Sequence, residues 1–298
     1  MKKIFTLALV LMATTCFVHS ADYVINHSSV TPVREEPSHA AEQATQLLFG
    51  EVCEVVEHWS SWTKIRSTID GQVGWVNSKM VTPIGDEAMK RLGDEAMGVV
   101  AVPMAVATDM ETGEKQMLTI GSRLHNYAHG TFEMLGKQYQ IDPTCVNCLE
   151  NASLQNGSTA TYSLEVKGEE VVRLAKSLLN VPYLWGGKNI MGFDCSGFTQ
   201  TVYSVLGINL LRNAREQITQ GEIVESLAEA QPGDLVFFDH SDRDPKATRI
   251  SHVGMLISPT EVIHCSGCVH IDRIDEMGIH LADGELTHHL VQIKRYIL

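Results

Sequence analysis

The spacing of apolar residues changes near residue 168, and this change is the strongest constraint on the fold. Up to about residue 150, β-branched and aromatic residues form short runs such as Val52–Val56, Trp62–Arg66 and Val73–Val76. Short runs of this kind, separated by turn residues, predict antiparallel strands. From Glu169 to Leu179 the apolar residues instead recur at helical spacing. The chain is therefore predicted to have all-β modules followed by a domain that begins with helices.

Three apolar runs near the C-terminus complete that last domain. They are Asp234–Phe238, His252–Ile257 and Glu261–His264. Helices followed by antiparallel strands describe an α+β fold. We predict this domain over residues 168–298, after a linker at 151–167 that is rich in Asn, Ser, Thr and Gly.

The β-rich part of the chain is predicted to form two small barrels, because its short strands follow each other closely. The first barrel spans residues 22–84, and Asp70–Gly71 marks a turn between two of its strands. The second lies within residues 85–150, after a short helical connector from Asp86 to Met97.

The first twenty residues have the pattern of a secretory signal peptide. Two lysines are followed by an apolar run from Ile4 to Ala13 and then by small residues near Ser20. The run is too short for a membrane span. We therefore expect cleavage after Ser20 and an exported protein, periplasmic or secreted, with lipid attachment at Cys16 as the alternative.

The charge of the chain limits its partners. Its net charge is −13, from 23 basic and 36 acidic residues. This balance argues against binding to nucleic acid or to anionic lipid. No later segment is long and apolar enough to insert stably into a membrane. The oligomeric state is left open.

Six cysteines follow the predicted signal peptide, and four of them form two C-x-x-C pairs, Cys145/Cys148 and Cys265/Cys268. The pairs could together hold zinc, but more than a hundred residues separate them. Local disulfides or free thiols are the preferred interpretations. The sequence does not define the connectivity, including that of Cys53.

Cys195 lies where a loop is predicted to become a helix, in the segment from Met191 to Gly207. Asp194 is a preferred N-cap residue, which places Cys195 in the first helical turn. The unpaired N–H groups and the helix dipole favour a negative charge there, so we expect a lowered thiol pKa and a nucleophilic thiolate. The alternative is a structural cysteine or half of a disulfide.

Two histidines on short apolar strands supply the partners that a nucleophilic cysteine needs. Such a nucleophile requires a base, and the base requires an orienting group. A three-residue turn over 258–260 would pair Ile257 with Glu261 and leave His252 and His264 diagonally adjacent on one sheet face. A two-residue turn would put them on opposite faces. The first register predicts a Cys–His–His relay.

The sequence resembles known families in both of its halves. Six segments occur in the order found in NlpC-type cysteine peptidases, papain-like enzymes that cut bacterial cell-wall peptides: Pro182–Gly187, Phe193–Phe198, Arg212–Gln217, Gln231–Phe238, Ser251–Met255 and Val262–His264. Three further segments resemble bacterial SH3-like modules: Leu48–Glu51, Trp62–Arg66 and Asp70–Val76. The resemblance implies a papain-like C-terminal domain in which Cys195 is the nucleophile, His252 the base and His264 the orienting residue.

SH3-like modules before such a domain narrow the resemblance to γ-D-glutamyl-L-diamino-acid endopeptidases of the recycling type, similar to dipeptidyl-peptidase VI. These cut stem peptides that have a free N-terminal L-Ala. The resemblance implies that Asp194 and Ser196 bind the L-Ala-γ-D-Glu end and that Tyr183 and Trp185 form pocket walls. For Asp194, a role as helix cap alone is the alternative. It implies no metal and no organic cofactor.

The sequence departs from the pattern of this group at some positions. Ala214 offers no hydroxyl where a small polar residue is often found. The group also takes an acidic residue and a tyrosine from the first barrel. Glu42 is a candidate for the acidic residue, and the turn at Gly71–Gln72 lacks a tyrosine.

Three other functions are kept as alternatives. The same relay would serve an amidase that cuts between muramic acid and L-Ala in the intact wall. The chain could be a wall-binding protein without activity, which the presence of Cys195, His252 and His264 argues against. A zinc enzyme could use His264 with the Cys265/Cys268 pair. The sequence does not say whether the diamino acid of the substrate is L-lysine or meso-diaminopimelate.

Overall fold

The computed structural model describes residues 23–94, 96–149, 167–239 and 249–297. The predicted signal peptide at 1–20, the alternative at Cys16 and nearly all of the predicted linker at 151–167 lie outside the described residues. Within the described part, no helix is long and apolar enough to span a membrane.

The first all-β region is an antiparallel sheet that curls around a small core. Its strands are β1 (Tyr23–Asn26), β2 (Val30–Arg34), β3 (Gln43–Leu48), β4 (Val52–Trp59), β5 (Trp62–Ser67), β6 (Val73–Asn77) and β7 (Val81–Ile84), with a 3₁₀ turn at Ser78–Met80. They are ordered β3-β2-β6-β5-β4-β1-β7. Alternate residues face inward and build the core, which includes Val24, Val33, Leu47, Ile65 and Val76. The predicted strands at 52–56, 62–66 and 73–76 are confirmed.

The second all-β region follows the helix α1 (Asp86–Asp94), which lies where a helical connector was predicted. Its strands are β8 (Met97–Val100), β9 (Met104–Asp109), β10 (Lys115–Thr119), β11 (Arg123–His125), β12 (Thr131–Met134), β13 (Lys137–Gln140) and β14 (Val146–Leu149), with a 3₁₀ turn at Pro143–Cys145. They form one sheet ordered β10-β9-β13-β12 and another ordered β11-β8-β14. A second SH3-like barrel with a boundary at residue 84 stays a prediction.

The two all-β regions pack on a common core. Phe49 and Val52 of the first region lie in one apolar cluster with Leu118, Leu124 and Phe132 of the second. The regions approach so closely at Gly50 that a Cβ atom there would lie 1.9 Å from the Arg123 carbonyl oxygen. The second all-β region thus holds one side of the first region in place.

The C-terminal domain begins with helices and continues as an antiparallel sheet, as the sequence predicts. Its helices are α2 (Gly168–Lys176), α3 (Cys195–Val205) and the short α4 (Ala214–Gln217). Its strands are β15 (Lys188–Asn189), β16 (Gly192–Phe193), β17 (Glu222–Val224), β18 (Leu235–Asp239), β19 (Ile250–Ser258), β20 (Glu261–Ser266), β21 (Cys268–Asp275), β22 (Gly278–His280) and β23 (Leu286–Arg295).

The long strand β23 closes this sheet. It pairs with β17, β18 and β22, so that β18 to β23 form a ring of six strands. Inward residues such as Phe238, Val262 and Ile293 fill the ring. Outward residues such as Phe237 and Val253 pack against α2 and α3. Because α3 lies on this rigid sheet, its first turn is held beside β19 and β20.

The hairpin of β19 and β20 differs from the predicted turn but keeps the predicted register. Ser258 pairs with Glu261, so the turn has two residues rather than three. A β-bulge between Leu256 and Ser258 adds one residue to β19, and Gly254 consequently pairs with His264. The bulge compensates for the shorter turn and leaves the side chains of His252 and His264 on the same face.

Buried polar contacts join the first all-β region to the C-terminal domain. Lys188 Nζ lies 3.0 Å from Glu51 Oε1, and both side chains are almost fully buried. Gln46 Oε1 accepts hydrogen bonds from the Lys188 backbone N–H and the Asn189 side chain, at 2.8 and 2.7 Å. These contacts lie next to α3 and therefore set the position of the β region relative to Cys195.

The Lys188–Glu51 pair yields a test of this arrangement. Lys188→Met should lower the free energy of unfolding by about 3–5 kcal/mol, because it leaves the Glu51 carboxylate buried and unpaired. Adding Glu51→Gln should restore much of this loss. Urea unfolding followed by circular dichroism measures both effects. The control is Arg173→Met, which breaks an exposed pair with Glu170 and should cost at most about 1 kcal/mol. Equal losses in the two single variants would show that the buried pair stabilises the protein no more than the exposed pair does.

Candidate active site

The start of helix α3 places Cys195 as predicted. Asp194 is the N-cap residue, and its Oδ1 accepts a hydrogen bond from the Gly197 N–H at 2.6 Å. Glycine is required at residue 197 because a Cβ atom there would lie 2.1 Å from the Gly187 carbonyl oxygen. The first-turn N–H groups of Cys195 and Ser196 have no acceptor within the helix. They are therefore directed at any group that lies beside the thiol.

Arg212 forms a forked ion pair with Asp194 that sequence reasoning missed. Its Nη1 and Nη2 donate to Oδ1 and Oδ2 of Asp194 at 3.0 and 2.5 Å. Its Nε donates to Thr45 Oγ1 in the first all-β region at 2.7 Å. Arg212 is completely buried. Of these two partners only Asp194 is charged, so Asp194 balances the charge of Arg212. The segment over 212–217 contributes to the family resemblance, but it does not reveal that Arg212 pairs with Asp194.

Asp194 has little capacity left for a further ligand. Besides Arg212 and Gly197, it accepts from the Gly186 N–H at 2.9 Å and from Ser196 Oγ at 3.3 Å. A carboxylate offers about four lone-pair sites, and these five donors occupy them. The N-cap role expected for Asp194 is thus formed in full.

His252 and His264 lie together, and an aspartate continues the chain of hydrogen bonds. His252 Nε2 is 2.8 Å from His264 Nδ1, and His264 Nε2 is 3.1 Å from Asp272 Oδ2. The carboxylate can only accept, so His264 carries its proton on Nε2 and accepts at Nδ1. His252 then carries its proton on Nε2, which leaves the Nδ1 lone pair for proton exchange. This order of tautomers suits a base.

The surroundings stabilise this protonation pattern. Burial lowers the pKa of His264, with the Asp272 hydrogen bond acting against it, so the ring stays neutral at neutral pH. The hydrogen bond from His264 lowers the pKa of Asp272, which stays ionised. The His288 ring packs on His252, with 4.6 Å between centroids. The sequence analysis missed Asp272 and His288. Alternation of polar and apolar residues over 268–275 could have placed Asp272 on the face of His264.

The thiol of Cys195 differs from the expectation of a lowered pKa. Burial, followed by the charge of Asp194, raises its pKa to about 12. The backbone N–H groups of Val253 and Ser196 and the charge of Arg212 oppose this effect without cancelling it. The helix start thus favours the thiolate as predicted, but desolvation is the larger effect. In the substrate-free protein Cys195 is a thiol that needs a base.

This protonation state predicts how Cys195 reacts with iodoacetamide. Because the pKa lies above the experimental range, the thiolate fraction is small and grows as the pH rises. The alkylation rate should increase about tenfold per pH unit between roughly pH 6 and 9. Peptide mapping by mass spectrometry isolates the Cys195 signal, and a Cys195→Ser protein gives the background. A rate that levels off below neutral pH would instead indicate a preformed thiolate–imidazolium pair.

A cavity of about 1060 Å³ opens at Cys195. Of the residues expected to act on substrate, all but the buried His264 line it: Tyr183, Trp185, Asp194, Cys195, Ser196 and His252. The first all-β region contributes Glu35, Ala44 and Gln72, and Ala214 lines it without a hydroxyl. Glu42, the sequence candidate for an acidic residue, is not among the lining residues, whereas Glu35 is. Charge is also supplied by Arg215 and Arg249.

Neither C-x-x-C pair forms a local disulfide. Cys145, Cys265 and Cys268 are each free. Cys265 Sγ donates to the Phe193 carbonyl at 3.2 Å. Neighbouring side chains on a strand point to opposite faces, so Cys265 points away from the site of His264. The alternative of a zinc ion held by His264 and both cysteines therefore lacks the required geometry.

Comparison with known proteins identifies two domains of the chain. Residues 180–293 match the model of the NlpC/P60 family, and residues 33–80 match that of the bacterial dipeptidyl-peptidase SH3 domain. The chain therefore contains an NlpC/P60 domain, and a bacterial SH3 domain precedes it.

Two relatives share this arrangement over most of their length. The γ-D-glutamyl-L-lysine dipeptidyl-peptidase of Bacillus cereus is 27% identical over 241 residues, which cover 76% of this chain and 68% of the relative. The enzyme of the same name from Bacillus subtilis is 24% identical over 231 residues, covering 74% and 71%. A crystal structure of an NlpC/P60 family protein from Bacillus cereus has the same fold, with a TM-score of 0.76 and 21% identity over 93% of this chain and 100% of that one.

Proposed function

We propose that the protein is a cysteine endopeptidase that hydrolyses the γ-D-glutamyl-L-diamino acid bond of peptidoglycan stem peptides with a free N-terminal L-Ala. The observation that carries the proposal is the cavity, which holds Cys195 and His252 and is walled on one side by the SH3 domain. The relatives named as γ-D-glutamyl-L-lysine dipeptidyl-peptidases support the choice of bond.

The first step is attack by the Cys195 sulfur on the γ-carbonyl carbon of D-Glu. As the sulfur–carbon bond forms, the thiol proton passes to His252 Nδ1 and the carbonyl electrons move onto oxygen. The N–H of Cys195 and a neighbouring donor in the same helical turn stabilise this oxyanion. Removing one such donor in comparable enzymes costs roughly 3–4 kcal/mol of transition-state stabilisation.

The second step breaks the carbon–nitrogen bond. The His252 imidazolium gives its proton to the departing amine of the diamino acid, and a thioester to Cys195 remains. Water, deprotonated by His252, then releases the dipeptide and restores the thiol. His264 accepts from His252 Nε2 throughout, and Asp272 fixes the tautomer that lets it do so. Every step uses side chains of the chain itself, without a cofactor.

Recognition of the peptide is proposed to depend on the charged side chains that line the cavity. Asp194 is saturated by its five donors, so we assign the L-Ala ammonium to Glu35 of the SH3 domain and keep Asp194 and Ser196 as the adjoining wall. Arg215 and Arg249 supply positive charge for the carboxylates of the stem peptide. Tyr183 and Trp185 also line the cavity and supply its aromatic wall.

Defined stem peptides test the proposed specificity. The protein should cut L-Ala-γ-D-Glu-L-Lys or its meso-diaminopimelate counterpart after D-Glu, because the free ammonium pairs with a carboxylate in the cavity. The N-acetylated peptides and intact glycan-linked stems should be cut much more slowly. Mass spectrometry of the products identifies the bond, and Cys195→Ala protein is the control. Release of L-Ala from muramic acid would instead establish the amidase.

The assignment of Glu35 has its own test. Glu35→Gln should raise KM for the free peptide about tenfold or more, since a charged hydrogen bond contributes roughly 1.5–3 kcal/mol. It should change the acetylated peptide little. Glu42→Gln is the matched control, because Glu42 lies opposite Glu35 just beyond the paired ends of β2 and β3 but does not line the cavity. If both variants behave alike, Glu35 does not bind the ammonium.

A further inference from the structure

A cluster of three metal-binding side chains lies behind the relay. His264 on β20 pairs directly with His270 on β21, and Asp272 follows two residues later on the same face. Asp272 Oδ2 is 3.1 Å from His264 Nε2 and 3.0 Å from His270 Nε2. All three ligand atoms lie within 4.8 Å of one another.

The hydrogen bonds of His270 create a demand for positive charge in this cluster. His270 Nδ1 lies 2.8 Å from the Cys268 carbonyl oxygen, which can only accept. Nδ1 therefore carries a proton, and the neutral ring presents its Nε2 lone pair to the Asp272 carboxylate. Two acceptors 3.0 Å apart repel each other unless a cation neutralises the contact. A metal ion bound to both atoms would remove this repulsion.

We propose that His264, His270 and Asp272 form an inhibitory site for a divalent transition metal ion of the zinc class. Two imidazoles and one carboxylate are a ligand set that suits Zn²⁺. Zinc with bonds of about 2.0–2.2 Å holds neighbouring tetrahedral ligands roughly 3.3–3.5 Å apart. The Asp272 oxygen lies within a few tenths of an ångström of that spacing from each histidine nitrogen, and the two nitrogens lie within 4.8 Å of each other. The site is a regulatory one and supplies no cofactor to the reaction.

The surroundings of the cluster fit a metal site in two further ways. A histidine ligand usually donates its other ring N–H to a carbonyl or similar acceptor. His270 does so to Cys268, and His264 has the His252 ring at its other nitrogen. The side chains of His270 and Asp272 are 33% and 20% exposed, which allows an ion and a fourth ligand, water, to reach the site from solvent.

Metal binding would reverse the tautomers of the relay, and this consequence rests on the proposed function. An ion on His264 Nε2 requires the proton of that ring to move to Nδ1, which then donates to His252 Nε2. The neutral His252 ring must in turn hold its proton on Nδ1. His252 Nδ1 then has no lone pair with which to accept the proton of the Cys195 thiol. Both rings remain neutral and no bond to Cys195 is involved, so inhibition arises from proton placement alone.

Metal binding is measured on Cys195→Ala protein, which removes the thiol as a competing ligand and does not depend on activity. Calorimetry should show one Zn²⁺ per chain. Co²⁺ should give visible d–d absorption without the near-ultraviolet band of a cobalt–thiolate bond. His270→Gln should weaken binding by more than the about 10- to 100-fold that loss of an outer partner costs. Cys268→Ser and His280→Gln, the latter removing a histidine paired with Asp275 on a neighbouring strand, should bind as before.

Inhibition is measured on protein with Cys195 intact, relative to the zinc-free rate of each variant. Zn²⁺ should inhibit the unsubstituted protein and His280→Gln at the concentration that fills the site, and His270→Gln only at tenfold or higher concentration. Binding that is unchanged by His270→Gln, or no binding at all, overturns the site. Binding without inhibition overturns the regulatory role. Failure of all variants to cut stem peptides refutes the proposed function but leaves the binding result intact.

Discussion

The ion pair between Arg212 and Asp194 is the contact on which the active site depends. It is buried, forked and hydrogen-bonded on both sides, so neither charge is left uncompensated. One end caps helix α3 and thereby positions Cys195. The other reaches Thr45 of the SH3 domain. A single pair thus fixes the nucleophile and ties the wall of the cavity to it, and any movement of the SH3 domain relative to Cys195 must disturb a buried charge.

Local features of this fold could be predicted from the sequence, because they depend on neighbouring residues. The strands of the first region follow from the alternation of apolar residues, and the start of α3 follows from the N-cap preference of Asp194. Long-range features could not. The bulge at Ile257, which corrects the register of the two histidines, reflects how β19 packs in the closed sheet. Likewise, the contact of Arg212 with Thr45 joins residues 167 positions apart.

The pKa of Cys195 also combines a local effect that the sequence predicts with a long-range effect that it does not. The sequence places the thiol at a helix start, where N–H groups favour the thiolate, and the structure retains this effect. Burial is a property of the whole domain, however, and it dominates the pKa. A thiol that stays protonated in the empty cavity reacts slowly with oxidants and electrophiles, because only its small thiolate fraction is nucleophilic. In the proposed mechanism, Cys195 becomes nucleophilic when a substrate carbonyl group lies beside its sulfur and His252 accepts the thiol proton.

Transfer of that proton depends on an order of tautomers that runs from Asp272 through His264 to His252. Each ring can hold its proton at the required nitrogen only because the next group accepts. The tautomers are therefore set by the partly exposed Asp272 carboxylate, where this series of hydrogen bonds ends, and not by the Cys195 thiol. A ligand of Asp272 and His264 can act on the reaction without entering the cavity. The arrangement that orients the base in this way also makes it responsive to whatever binds to His264 on β20 and to His270 and Asp272 on β21.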